Sequence, residues 1–462
     1  MGFFRTVLRI RNGTSGSWGT SGTRARQGEK RMPLFRAIRS LPLAVRQSSL
    51  ARNALWISGG QIVSLVVQAL SFILLARLLG SKEYGVLAGV VAFVSLFSQY
   101  SGAGSGSVFL RYVSVDHEQA AVYCGNILLS LAMFGTALVV VVTISAHYVL
   151  SSTSLMLVVV VAVSDCFFRQ IAIMTAQVFQ AFERMNITAL LTALTNVSRL
   201  VTVCAMLLIY HQGTSTQWAW ASAGVSALAA LASVFLVQRQ IRKIDFSFPL
   251  LKQRAAEGFG FSFAASTNSV YNDVDKTMLS HFGMNVANGI YSTAYRIIDI
   301  ATLPIWSIYT SALPRMFREG QVSIQGNAKT ARKLLSSGLL AGLLASILCY
   351  FCAPLVPFIV GKSFSASVSA IRWLCLLPVF RSFALSAGAG LTTSGNQSMR
   401  TAVQVVAAVF NFGINLYLIP RYSWLGAAWS SLLTDALMGI GNWLMYLLIL
   451  SRSANAVRKH GV

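Results

Sequence analysis

NALWISGGQIVSLVVQALSFILLARLLGSKEYGVLAGVVAFVSLFSQYSGAGSGSVFLRYVS, residues 53–114, holds two apolar segments split by the short turn Gly80–Gly85. Each is long enough to cross a bilayer, since about 20 residues at 1.5 Å rise span the ~30 Å hydrocarbon core. Both are apolar on every side rather than along one stripe, which excludes a soluble core helix. The phrase returns about two hundred residues later. Leu78-Leu79-Gly80 and Tyr84-Gly85 are echoed by His281-Phe282-Gly283 and Asn288-Gly289-Ile290-Tyr291, again between apolar runs. The echo predicts a doubled membrane bundle.

Composition agrees. Hydrophobic residues make up 55% of the 462-residue chain and charged ones 11%, against about 25% charged in soluble proteins. The net charge of +24 is spread over short loops and tails between apolar runs. A nucleic-acid binder gathers its basic residues on a folded polar face, so no nucleic-acid partner is expected. The six cysteines lie in or beside apolar segments, Cys349 and Cys352 as a CxxC inside one of them. With no second pair and no polar setting they read as small buried residues, not as a redox or zinc site.

Twelve apolar segments are expected, near 54–79, 86–110, 121–146, 154–180, 187–210, 217–238, 258–281, 286–312, 333–353, 366–394, 399–420 and 424–450. Loops on the N-terminal side, with both tails, hold 26 Lys/Arg, and the opposite side holds three: Lys82, Lys362 and Arg421. Positive charge stays in the cytoplasm, which puts both termini inside. The expected plan is a basic, disordered tail over 1–52, a six-helix bundle over 53–238, a basic linker over 239–257, a second bundle over 258–450 and a tail over 451–462. An even number of helices per half relates the halves by an axis along the membrane normal. Within the tail, no apolar stretch follows the basic start, so it is not a secretory signal. Its Arg-rich, acid-poor make-up also fits a mitochondrial presequence, Met1–Thr6 fits the myristoylation pattern, and Met32 is an alternative start. The longest outer loop, near Ala353–Ser365, leaves no room for a catalytic outer domain.

Ionisable residues inside the expected spans include Asp165, Arg169, Arg199, Asp273, Asp275, Lys276, Arg296, Asp299, Arg381 and Asp435. Each costs about 2.5–3.5 kcal/mol at the bilayer centre, so they must face a watery cavity or one another. Asp165/Arg169 and Arg296/Asp299 are spaced to pair along one helix face, as are Asp273/Lys276. Arg199 and Arg381 have no acid on their own segments and are candidates to line a cavity for a phosphate or pyrophosphate, which the guanidinium fork binds through two hydrogen bonds. The alternative for them is snorkelling or bonding to helix carbonyls. Asp435 has no basic neighbour in sequence; it is a candidate proton relay or a helix-to-helix contact. No HExxH, GxSxG, Walker A or GxGxxG motif is present, so neither catalytic residues nor a cofactor or metal is expected.

The stretch LLARLLGSKEYGVLAG at Leu74–Gly89 resembles the first-helix signature of polysaccharide flippases of the Wzx type. These belong to the multidrug/oligosaccharidyl-lipid/polysaccharide exporter superfamily. DKTMLSHFGMNVANGIYSTAYRI, Asp275–Ile297, is similar to the same family's seventh and eighth segments, and Pro314 suits the proline near the end of the eighth. The resemblance covers about residues 50–450 and leaves the basic tail unmatched. It implies an all-α polytopic fold with about 12 transmembrane helices in two six-helix bundles, V-shaped around a central cavity. The implied cargo is an undecaprenyl-pyrophosphate-linked oligosaccharide for O-antigen, lipopolysaccharide or exopolysaccharide assembly, moved across the bacterial inner membrane by alternating access coupled to H+ or Na+. Membrane lipids, and a polysaccharide polymerase using the flipped product, are the implied partners. Arg169, Arg199, Lys276, Arg296 and Arg381 would form the cationic cavity. Asp165, Asp273, Asp275, Asp299 and Asp435 would serve ion coupling, with Asp275 or Asp435 foremost. A multidrug exporter, a lipid II flippase and a membrane polymerase are the rival readings; the basic excess and short outer loops count against the first and the last.

Overall fold

The computed structural model describes residues 49–150, 153–210, 212–241 and 243–459, with side chains described over 64–453 except 268, 271, 321 and 322. Most of the expected basic tail, residues 1–48, lies outside the described residues, and so does the end of the expected C-terminal tail. Leu55–Val462 form one compact unit, to which the following account refers. Among the described residues the chain is helical throughout, without strands.

In chain order the helices of eight or more residues are α1 (Ser49–Ser98), α2 (Ser105–Val113), α3 (Ala120–Val149), α4 (Leu155–Val163), α5 (Arg169–Ala181), α6 (Met185–Ile209) and α7 (Ser215–Gln240). The second half brings α8 (Phe248–His281), α9 (Asn285–Val322), α10 (Ile324–Cys352), α11 (Ser367–Leu374), α12 (Leu377–Thr393), α13 (Gln397–Tyr422) and α14 (Trp424–Lys459). Among the described residues, ten helical stretches are long and apolar enough to cross a membrane, among them a single stretch Ser64–Ser98 that contains a kink. Dividing that stretch at its kink gives eleven of the twelve expected crossings; the remaining one, over 258–281, falls on the charge-bearing α8, which is not among the apolar stretches.

The kink sits at Gly80, with φ +68° and ψ 175°. Its echo Gly283 turns the chain from α8 into α9 at φ +70°. That region of backbone space is open to glycine at little cost, so one residue reverses the chain twice. The turn is tighter than the expected Gly80–Gly85 span, because Ser81 onward is already helical.

Helix boundaries differ from expectation in several places. The expected span 86–110 is broken between Ser98 and Ser105, where Ala103 (φ 46°) and Gly104 (φ 69°) are left-handed. The run Ser-Gln-Tyr-Ser-Gly-Ala-Gly-Ser offers few side chains to pack, and hydroxyls take over the freed carbonyls. Ser101 Oγ donates to Ser98 O and Ser130 Oγ to Gly102 O, each at 2.8 Å. Such replacement is what permits irregular backbone at membrane depth. The span 366–394 is interrupted at Cys375–Leu376, just ahead of Pro378 in the first turn of α12, since proline starts a helix more readily than it continues one. The expected basic loop 313–332 is instead helix except for Ser323. There the Arg315–Glu319 pair at 2.7 Å supports α9, and Ser323 Oγ caps α10 by accepting from Gly326 N at 3.3 Å.

The halves interlock rather than stand side by side. Phe72 and Ala76, on the first arm of α1, belong to a buried core otherwise built by the second half, including Tyr291, Ala294, Ile298, Ile371 and Leu374. Beside it, α1 and α9 meet through glycines. A methyl group on Gly85 would overlap the Asn285 carbonyl, and one on Gly289 the Ser81 carbonyl. Small residues of this kind let membrane helices approach backbone to backbone. Asn288 Nδ2 reinforces the seam by donating to Gly85 O at 3.0 Å.

Candidate substrate cavity

Two cavities share part of their lining. The larger, about 940 Å³, is lined by α1, α4–α7, α8 and α9, and so by both halves. The smaller, about 410 Å³, is lined by α8, α9, α12, α13 and α14. Asp273, Lys276, Tyr295, Arg296 and Asp299 line both and form the wall between them.

Every expected site residue except Asp275 reaches one of these cavities. Asp275 is buried behind the wall, receiving hydrogen bonds from the Tyr291 hydroxyl and, at 3.3 Å, from Ser431 Oγ. Two of the three expected same-helix pairs are formed. Lys276 Nζ donates to Asp273 Oδ1 at 2.8 Å, and Arg169 Nη1 approaches Asp165 Oδ2 at 3.4 Å. Asp165 lies on a π-helical turn, Ser164–Phe168, between α4 and α5; wide turns of this kind recur at functional sites.

The third pair is replaced. Asp299 bonds not Arg296 but Arg381, whose Nη1 donates to Asp299 Oδ1 at 2.7 Å. Arg381 thus lines the smaller cavity, as expected of a cavity residue, but as a paired cation. Its Nη2 donates to the Tyr295 hydroxyl at 2.7 Å and its Nε lies 3.5 Å from Asp435 Oδ2. The last approach is an ion pair without a hydrogen bond, and neither Asp435 oxygen has a hydrogen-bonding partner among the described residues. Tyr295 is the hub that sequence reasoning did not single out. Lys276 Nζ sits 4.9 Å and the Arg381 guanidinium 5.1 Å from its ring centroid, within cation–π range.

Two arginines are left over, one in each half. Arg199 on α6 has a buried Nε with no acceptor. Arg296 on α9 is exposed to the cavity, its guanidinium 3.5 Å from Gln68 Oε1. Among the described residues neither has a carboxylate at ion-pair distance. Arg400, near the start of α13, also lines the smaller cavity and donates to Thr392 Oγ1 at 2.8 Å. Across both cavities six cations (Arg169, Arg199, Lys276, Arg296, Arg381 and Arg400) face four carboxylates (Asp165, Asp273, Asp299 and Asp435). The enclosure is net cationic.

Comparison with known proteins follows the same line. The fold is similar to that of an inward-facing multidrug resistance transporter of the MATE family in the MOP superfamily, with a TM-score of 0.71 at 14% identity over 87% of this chain and 99% of that one. It is also similar to a MOP superfamily transporter from Pyrococcus furiosus, described as having a binding pocket of reverse polarity, with a TM-score of 0.59 at 13% identity over 92% and 99%. An outward-facing MATE family transporter matches at a TM-score of 0.56, 14% identity, over 88% and 98%. No curated protein matches the sequence significantly. A family model described as "polysaccharide biosynthesis protein" matches residues 50–319, more than half of the chain. The chain is a multi-pass membrane protein with the exporter fold, and it belongs to the polysaccharide biosynthesis protein family.

Proposed function

We propose that this protein is a flippase that carries a lipid-pyrophosphate-linked oligosaccharide across the bacterial cytoplasmic membrane, with both termini inside. The observation that carries the reading is the pair Arg199 and Arg296, unpaired cations on opposite walls of a cavity of about 940 Å³. Arg199, half-buried with its Nε enclosed, lacks an anionic partner, and a pyrophosphate held by both guanidinium forks would supply one. Binding would thereby draw the two halves together around the anion. Sugar hydroxyls would meet Gln68, Gln177, Gln180 and Asn196 on the first-half wall, while the lipid tail stays in the bilayer.

The Gly85–Gly289 seam lies at the end that the charge bias assigns to the outside. A closed seam there supports an inward-open state, and its parting would give the outward state. Protonation would bias this exchange only by favouring one state over the other. Of the two foremost ion-coupling candidates, Asp435 suits the role better than Asp275. Asp435 lines a cavity and its oxygens lack donors, whereas Asp275 is held away from the cavities by Tyr291 and Ser431.

The test is the sidedness of lipid-linked oligosaccharide in cells lacking the protein, read with a lectin that reaches only the outer leaflet. Accumulation inside, corrected by wild type but not by Arg199→Ala with Arg296→Ala, is expected. Normal sidedness with altered tolerance of cationic drugs would replace the flippase by a drug exporter.

A further inference from the structure

A second cationic site lies outside the central cavities. A groove of about 670 Å³ opens between the first turns of α10 and the last of α14, lined by Gln325, Ala328, Lys329, Arg332, Lys333 and Leu450, together with Ser336. Lys329, Arg332 and Lys333 are exposed and make no ion pair or side-chain hydrogen bond among the described residues. Glu319 is within electrostatic reach of Lys333, but its carboxylate is already held by Arg315 at 2.7 Å.

The same helix face continues into the membrane as an apolar stripe. From Arg332, steps of three or four residues lead through Ser336 to Leu340, Leu343, Leu344 and Ile347, which are 47–61% exposed. Residues at that spacing share one face. The face thus presents cations at the membrane boundary and bare aliphatic surface directly below. A free anion would use only the upper part, whereas an anionic lipid would use both.

We infer that this groove binds an anionic phospholipid, its phosphate between Lys329, Arg332 and Lys333 and one acyl chain along Leu340–Ile347. Basic pockets between membrane helices on the cytoplasmic side suit such headgroups. The site is separate from the cargo cavity and shares none of its residues.

The experiment uses the full-length protein in a neutral detergent and counts retained lipid by native mass spectrometry during titration with phosphatidylglycerol or phosphatidylcholine. Two charge-matched variants are compared: K329Q/R332Q/K333Q at the groove, and R239Q/K243Q/K252Q on another basic segment. Wild type is expected to retain one phosphatidylglycerol preferentially. With each cation near the surface contributing about 1 kcal/mol, the groove variant should bind it on the order of a hundredfold more weakly, and the control variant far less so. Inorganic phosphate at millimolar concentration should not compete. Equal loss in both variants would reduce the site to general surface charge. Retention of phosphatidylcholine as readily as phosphatidylglycerol, or displacement by inorganic phosphate, would equally overturn the proposal.

Discussion

The two walls of the cavity treat their charges differently. On the second-half wall, Arg381 is shared among Asp299, Tyr295 and Asp435, and Lys276 is held by Asp273 and the Asn272 carbonyl. On the first-half wall, Arg169 has a long contact with Asp165, and Arg199 has none. Arg381 is largely buried and Arg199 half-buried with its Nε enclosed, but only Arg381 is supplied with carboxylates. The difference separates charges held by partners within the protein from one that has none, and what it means for the proposed function can be tested one residue at a time.

The largest effect is expected at Arg381. Its replacement by Ala strands Asp299 and Asp435, and removal of one partner from a buried pair costs about 3–5 kcal/mol. Thermal unfolding in detergent should show a melting temperature well below that of wild type; an unchanged value would mean that the cluster contributes little to stability. Tyr295→Phe keeps the ring beneath Lys276 and Arg381 but removes the hydroxyl, with an expected cost of about 1.5–3 kcal/mol for a bond to a charged group. The same melt would show whether that hydroxyl matters. Asp435→Asn should cost less than about 1 kcal/mol, because its oxygens accept no hydrogen bond and Arg381 retains Asp299. A drop as deep as that of Arg381→Ala would show that the 3.5 Å approach is the principal contact after all. Arg199→Ala is expected to leave stability within about 0.5 kcal/mol of wild type while abolishing flipping in the lectin assay. If it destabilised the protein and spared transport, the comparison would be reversed.

Much of the architecture was legible in sequence, because its determinants are local. The glycine echo at 80 and 283 marks two turns with almost the same backbone angle, and continuous apolar runs mark the crossings. Pairs three or four residues apart were readable for Asp273–Lys276 and Asp165–Arg169, since both partners ride on neighbouring turns of one helix. The same rule failed at Arg296–Asp299. Arg381, 82 residues further along the chain, approaches Asp299 from another helix, and no spacing encodes that. Tyr295 was hidden for a similar reason: an aromatic residue in an apolar helix shows its role only when two cations arrive at its ring from different directions. The breaks at Ser98 and Cys375 had signals, a Gly/Ser run and Pro378, that hydrophobicity outweighed.

The interlocked arm of α1 has a consequence for synthesis. Phe72 and Ala76 find their buried neighbours at Tyr291 and Ile298, roughly 215 residues later in the chain. At 5–20 residues per second, the ribosome needs about 10–40 s to deliver them. For that interval the first crossing must wait in lipid with one flank unclaimed, and the first half cannot complete its packing before the second begins to emerge. A chain stopped after α7 would therefore leave an arm without its dock. In the living membrane, assembly of this protein is set by the order of its helices as well as by their affinities.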